Sequence, residues 1–99
     1  MGQAARAKPK RLPRKLLEIR ERLGLSQNAL IRHLGLTRRL SQGKISEFER
    51  GEREPTLPIL LLYARAAGVW VDVLIDDYLD LPDRLPATPK SEGIRRRRR

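Results

Sequence analysis

The side chains best equipped for chemistry in this chain are amides, hydroxyls and cations crowded between positions 26 and 51. Gln27, Gln42, Lys44, Ser46 and Glu47 all fall there, with Arg38 and Arg39 between the first and the rest. A glutamine can pair in bidentate fashion with an adenine edge, a lysine can reach guanine or a phosphate, and a carboxylate can accept from cytosine. Catalytic chemistry has much less to work with. His33 is the single histidine, it has no second ligand near it in sequence, and there is no cysteine to supply a thiolate, so no metal site is expected. Asp72, Asp76, Asp77 and Asp80 lack the loop and glycine of a calcium site and read as the solvated face of a helix. No nucleophile–base pair assembles from these residues, so the expectation is a non-enzyme without cofactors.

Charge narrows the class of partner. The chain has 99 residues, 22 of them basic and 12 acidic, for a net charge of +10. Residues 1–51 hold 13 basic and 4 acidic side chains, whereas residues 52–94 hold 4 basic and 8 acidic ones. Five arginines at 95–99 account for the remainder. A polyanion would be drawn to the first half, where the positive field concentrates. The longest apolar stretch, 57–64, is interrupted by Pro58 and falls well short of the ~20 residues of a membrane span. The first ten residues contain no apolar run of the signal-peptide kind. Together with the lack of cysteine, these features predict a soluble, cytoplasmic protein with no membrane partner.

The elements that must position the polar cluster follow from periodicity and punctuation. Leu16, Ile19 and Leu23, widened by Leu17, mark a helix over 14–23 that Pro13 opens and Gly24 stops. Ser26 can cap a second helix over 27–34, with Ala29, Leu30 and Leu34 inward and Gly35 ending it. Residues 36–40 form a connector, and Ser41 caps a third helix over 42–50 that carries Ile45 and Phe48 and closes at Gly51. After Thr56 comes a strongly apolar helix ending at Gly68, with Leu57, Leu60, Leu61, Leu62, Ala64 and Ala67 destined for the core. A fifth helix over 69–80 would turn Val71, Leu74, Ile75 and Tyr78 inward. The organisation expected is all-α: a disordered basic arm at 1–11, a five-helix domain at 12–81, and a disordered, proline-containing, arginine-rich tail at 82–99.

Two short helices joined through a glycine, the second with a polar outer face, have the shape of a helix-turn-helix over 26–51. The stretches LGLSQNALIRHLGL and KISEFERGEREPTLPILLLYARAAGVWVDVLI resemble phage lambda repressor and Cro, the XRE-type regulators, over residues 16–75. That resemblance implies a lambda-repressor-like domain that binds double-stranded DNA as a transcriptional regulator. Carried across residue by residue, it puts Gln27 on a phosphate and Gln42, Gly43, Ser46 and Glu47 along the groove-facing side of a recognition helix at about 42–50. Lys44 falls toward the DNA backbone. Arg20 and Glu49 match a pair that ties the first helix to the end of the third.

Two departures from the family pattern stand out. The connector between Gly35 and Ile45 is about four residues longer than usual, which brings Arg38 and Arg39 beside the groove. Gly43 occupies a place that usually carries a polar side chain, at a cost of roughly 0.5–1 kcal/mol in helix stability against alanine. A homodimer on two half-sites is expected, with 71–78 and Trp70 as its surface, although Trp70 taken by itself reads more readily as packing than as an exposed anchor. The alternative is a DNA-binding antitoxin or protein-interaction module whose acidic half, 52–83, grips a basic partner. The 95–99 arginines read either as a nucleic-acid contact or as an untethered charged tail.

Overall fold

The computed structural model describes residues 8–85, and among them the chain is all-helical, with five helices and no strand. Helix α1 spans Leu12–Arg22, α2 Gln27–His33, α3 Gln42–Arg50, α4 Leu57–Ala67 and α5 Val71–Ile75. The core is a single cluster to which every helix contributes. Leu16, Ile19, Leu30, Ile45, Tyr63 and Leu74 are its most deeply buried members.

Local chemistry explains the boundaries of the first three helices. Helix α1 starts two residues earlier than its leucine stripe suggests, because Pro13 sits in its first turn and Leu12 is buried. Its N-terminus has no cap from its own segment. Instead the Asp77 carboxylate, more than sixty residues away, accepts from the backbone N–H groups of Lys10 and Arg11, each at 3.0 Å. An anion at that end also complements the helix dipole. Ser26 caps α2 by accepting from the Ala29 N–H at 3.0 Å, and Ser41 caps α3 by accepting from the Lys44 N–H at 3.4 Å. Helix α2 buries Ile31 in addition to Leu30, and Leu34 serves as its C-cap. Gly51 ends α3 in the left-handed region at φ 76°, and a Cβ there would meet the Pro13 ring at 3.2 Å. Glycine is therefore required twice over at that junction.

The lengthened connector is taken up by a turn of its own, and neither flanking helix is extended. The N–H groups of Arg39 and Leu40 both donate to the Leu36 carbonyl at 2.9 Å, closing one compact turn. Leu36 is buried and Leu40 half-buried, so the turn is anchored on the core while Arg38 and Arg39 remain exposed. Helix α3 consequently begins at Gln42, where its cap residue predicts.

The second half departs further from the sequence reading. Leu57 and Leu61 of α4 are surface residues, Leu57 at 76% exposure, and the buried face is Leu60, Tyr63, Ala64 and Ala67. Thr56 precedes α4 without a side-chain cap hydrogen bond. Helix α5 covers only Val71–Ile75 rather than 69–80, with Leu74 inward, Ile75 exposed and Tyr78 at 96% exposure. The cause is Lys15. This lysine is 2% exposed, and its ammonium donates to the carbonyls of Val73 at 2.7 Å, Asp76 at 3.0 Å and Leu79 at 2.8 Å. A helix continuing to residue 80 would bind the Val73 and Asp76 carbonyls internally; here they converge with that of Leu79 on a buried cation, and the chain turns into a strap lying along α1. Burial, and then the neighbouring Arg11, lower the Lys15 pKa from its ordinary value, while Asp77, Asp80 and Asp76 oppose the shift.

The four aspartates are accordingly not the solvated face of one helix. Asp72 lies in α5, but Asp77 caps α1 and Asp80 pairs with the Arg11 guanidinium. Residues 8–11, assigned to the basic arm on sequence, are described here, and Lys10 and Arg11 are fastened to this strap. The remainder of that arm, 1–7, and most of the arginine-rich tail, 86–99, lie outside the described residues.

Candidate nucleic-acid interface

Four side chains link the core to the first residue of α3. The Arg20 guanidinium grips the Glu49 carboxylate with Nε at 2.6 Å and Nη2 at 3.0 Å, and its Nη1 donates to the Leu25 carbonyl at 3.0 Å. The pair is well buried, at 17% and 6% side-chain exposure, and the bidentate geometry fixes α1 against the end of α3. Hydrogen bonding to Glu49 raises the Arg20 pKa further above its ordinary value. Tyr63 lies close to this pair. Burial, followed by the nearby Glu49 charge, pushes its phenol above the ordinary range, and its hydroxyl has no hydrogen-bond partner among the described residues.

Glu49 continues the chain outward. Its Oε1 also accepts from Gln27 Nε2 at 3.0 Å, and Gln27 Oε1 accepts from Gln42 Nε2 at 3.1 Å. The orientation of both amides follows from chemistry. An ionised carboxylate only accepts, so Gln27 turns its NH2 group to Glu49 and its oxygen to Gln42. Gln42 must then donate inward, which leaves its carbonyl oxygen and its second N–H directed away from the network. That acceptor–donor pair matches the N6/N7 edge of adenine.

Ser46 and Glu47, further along α3, are engaged as well. The Ser46 hydroxyl accepts from Arg50, whose guanidinium also holds Glu52 at 2.8 and 2.9 Å. Glu47 accepts from Arg53 Nε at 2.8 Å, and that hydrogen bond lowers the carboxyl pKa. Arg50 and Arg53 are additions to the residues singled out on sequence. The signal for Arg53 is a long one: it follows Glu47 by six positions, and only the left-handed turn at Gly51 brings the two together.

Gly43 is exposed in the first turn of α3, at an ordinary helical φ, and a Cβ there would meet only Ser41 Oγ at 3.7 Å. The fold leaves room for a side chain at this position. Lys44 is half-buried at the next residue, and Arg38 and Arg39 stand on the connector turn just before the helix. Among the described residues none of these three cations makes an ion pair, nor does Arg32 of α2. The polar residues predicted on sequence therefore lie on one continuous stretch, from the start of α2 through the connector to the exposed side of α3.

No group of three or more His, Asp or Glu side chains that could hold a metal occurs among the described residues, and none of their helices is long and apolar enough to cross a membrane. Two capped helices joined by a compact turn, the second with a polar exposed face, define a helix-turn-helix. A helix-turn-helix domain family matches residues 11–77, about two thirds of the chain. The chain belongs to that family, consistent with its resemblance to lambda repressor and Cro. No curated protein and no solved structure matches the chain.

Proposed function

We propose that this protein binds double-stranded DNA at specific sequences and acts as a small transcriptional regulator, with α3 in the major groove. The observation that carries the reading is the Arg20–Glu49–Gln27–Gln42 chain, which presents Gln42 with one donor and one acceptor free. A first-turn side chain held in this way is pre-organised for base contact, because its rotamer is already restricted before binding. Gln27, at the N-terminus of α2, supplies a phosphate contact together with the unpaired N–H groups there. Arg38, Arg39 and Lys44 supply backbone affinity. Glu47, joined to Arg53, brings a neutralised pair to the groove instead of a bare carboxylate, which reduces its repulsion from phosphate.

One domain offers few base contacts, so the protein acts as a homodimer on half-sites spaced by about one helical turn, ~34–36 Å. Trp70, Ile75 and Tyr78, all exposed, support the dimer surface expected on sequence. The test is selection of bound duplexes from a random pool at two salt concentrations. An enriched motif is expected, with Gln42→Ala relaxing its preference at one base pair and Arg38→Ala weakening all duplexes alike. Binding without a motif that vanishes at moderate salt would reduce the interaction to nonspecific electrostatics and overturn the reading.

A further inference from the structure

Arg50, the last residue of α3, and Arg53, in the loop behind it, are used differently by the structure. Arg50 spends its whole guanidinium inside the protein: Nε and Nη2 hold the Glu52 carboxylate at 2.8 and 2.9 Å, and Nη1 donates to Ser46 Oγ. Arg53 commits one donor. Its Nε meets Glu47 Oε1 at 2.8 Å, and among the described residues neither of its Nη groups makes a hydrogen bond. Those two groups form the end-on fork of the guanidinium, whose parallel N–H donors match the O6 and N7 acceptors of guanine in the major groove. The loop keeps this fork close to the helix. Gly51 reverses the chain, the Glu52 N–H donates to the Glu47 carbonyl at 2.9 Å, and Pro55 is buried two residues beyond Arg53. On a 3.6-residue period Gly43, Ser46 and Glu47 share the side of α3 opposite the buried Ile45 and Phe48. Glu47 therefore holds the Arg53 fork on the face that α3 would turn to a duplex.

The brace decides between a phosphate and a base as the target. A guanidinium already paired with a carboxylate is close to neutral as a unit, so it gains little from a phosphate and displaces few counterions. Guanine O6 and N7 are uncharged acceptors, and bonding to them depends on the direction of the N–H groups, which the ion pair fixes in advance. We propose that Arg53 is a specificity-determining residue that reads a guanine through its two Nη groups, with Glu47 as its positioning residue. The inference rests on the DNA-binding reading above and adds a second base position to the one assigned to Gln42. Gln42 and Glu47 are five residues apart. That is roughly 7.5 Å along a helix, so with α3 lying along the groove the guanine falls about two base steps from the pair that Gln42 reads.

The experiment repeats the selection from a random duplex pool with the full chain and with full-length Arg53→Ala, Glu47→Gln and Arg50→Ala variants. Each protein is then titrated over a salt series on the selected duplex and on one whose G·C pair at the proposed position is changed to A·T. The parent is expected to prefer the G·C duplex by about 5- to 150-fold, the range of one good bidentate base contact. Arg53→Ala should abolish that preference with the salt slope unchanged, and its intact preference at the Gln42 position reports that the variant is folded. Glu47→Gln should narrow the preference at the same pair, and Arg50→Ala should leave it in place. Uniform weakening of all duplexes by Arg53→Ala, with the slope of log K against log salt reduced by about 0.9, would make Arg53 a phosphate contact and overturn the inference. Loss of the preference in Glu47→Gln but not in Arg53→Ala would make the carboxylate the reader, and loss in Arg50→Ala alone would move the role to Arg50; either result overturns it too. An unchanged preference in Glu47→Gln would remove the positioning role. A parent motif without a G·C pair at this spacing would overturn this inference alone, whereas a parent with no motif would sink the DNA-binding reading and this inference with it.

Discussion

Gly43→Ala separates what the fold needs at the start of α3 from what a ligand needs. The glycine has an ordinary helical φ, and an added Cβ meets only Ser41 Oγ, at van der Waals distance. Alanine there should stabilise the free protein by roughly 0.5–1 kcal/mol, the usual difference between the two residues inside a helix. In a domain of this size that corresponds to about 2–8 °C in Tm. DNA affinity is expected to move the other way. If the first turn of α3 lies against the groove wall, one extra methyl is an overpacking of a close-fitted contact, worth roughly 1–3 kcal/mol. Expressed as Kd, that is about a 5- to 150-fold weakening. The assay pairs a thermal melt followed by circular dichroism with a titration of the selected duplex, using the same protein stock. A raised Tm with unchanged Kd would refute the close approach, and a lowered Tm would refute the open space on which the argument depends.

Three further perturbations test the scaffold beneath the site. Glu49→Ala leaves the Arg20 guanidinium partly buried without its carboxylate and frees Gln27, so urea unfolding should show a loss of roughly 1–3 kcal/mol together with relaxed base preference at the Gln42 position. Lys15→Met removes the donor shared by three carbonyls; a similar loss of roughly 1–3 kcal/mol is expected, and hydrogen exchange should show the 76–82 strap opening before α1 does. Stability should also fall in acid. Backbone N–H groups of Arg11 and Lys10 hold the Asp77 pKa below its ordinary value, and the Arg11 side chain does the same for Asp80. A depressed folded-state pKa gives stability that is present above the unfolded value, about 3.9, and is lost as pH falls toward the folded one. Asp77→Asn should flatten the acid limb of a stability–pH curve, and an unchanged limb would show that the strap carries no linkage.

Much of this arrangement is legible in the sequence because it is set by local rules. Ser26, Ser41, Gly24 and Gly51 punctuate the first three helices correctly, since caps and left-handed turns depend on residues only a few positions apart. The Arg20–Glu49 pair follows from the family resemblance and is present as a bidentate contact. What could not be read is long-range. Nothing near Lys15 marks it as a core residue, because its partners are backbone carbonyls about sixty residues away, and carbonyls have no signature in a sequence. For the same reason α5 is overextended by a periodicity reading. Residues 76–80 keep a helical pattern of side chains, but their carbonyls and carboxylates are recruited by Lys15 and Arg11 instead. The exposure of Leu57 and Leu61 was likewise hidden, since mean apolarity does not say which side of a helix faces a neighbour.

The pattern of pairing bears on the alternative in which the acidic half grips a basic protein. That alternative needs carboxylates free to bind. Instead Asp77 and Asp80 are taken by the start of α1, Glu52 by Arg50, and an Asp76 oxygen by the Tyr78 N–H. The same contacts neutralise cations in α1 and just beyond α3, while Arg32, Arg38, Arg39 and Lys44 make no ion pair among the described residues. Internal pairing therefore sharpens the charge segregation seen in the sequence. It uses up acidic groups behind the site, and the cations of α2, the connector and the start of α3 are among those it leaves unneutralised. A field of that shape attracts and orients a polyanion at one surface, and the inserted Arg38 and Arg39 lie where it would act. Reversing them, with Arg38→Glu and Arg39→Glu together, should slow duplex association far more than it speeds dissociation, because charges at the rim govern encounter. Stopped-flow association at low and high salt makes the comparison. An effect confined to dissociation would place these arginines inside a dehydrated contact and would remove steering from their role.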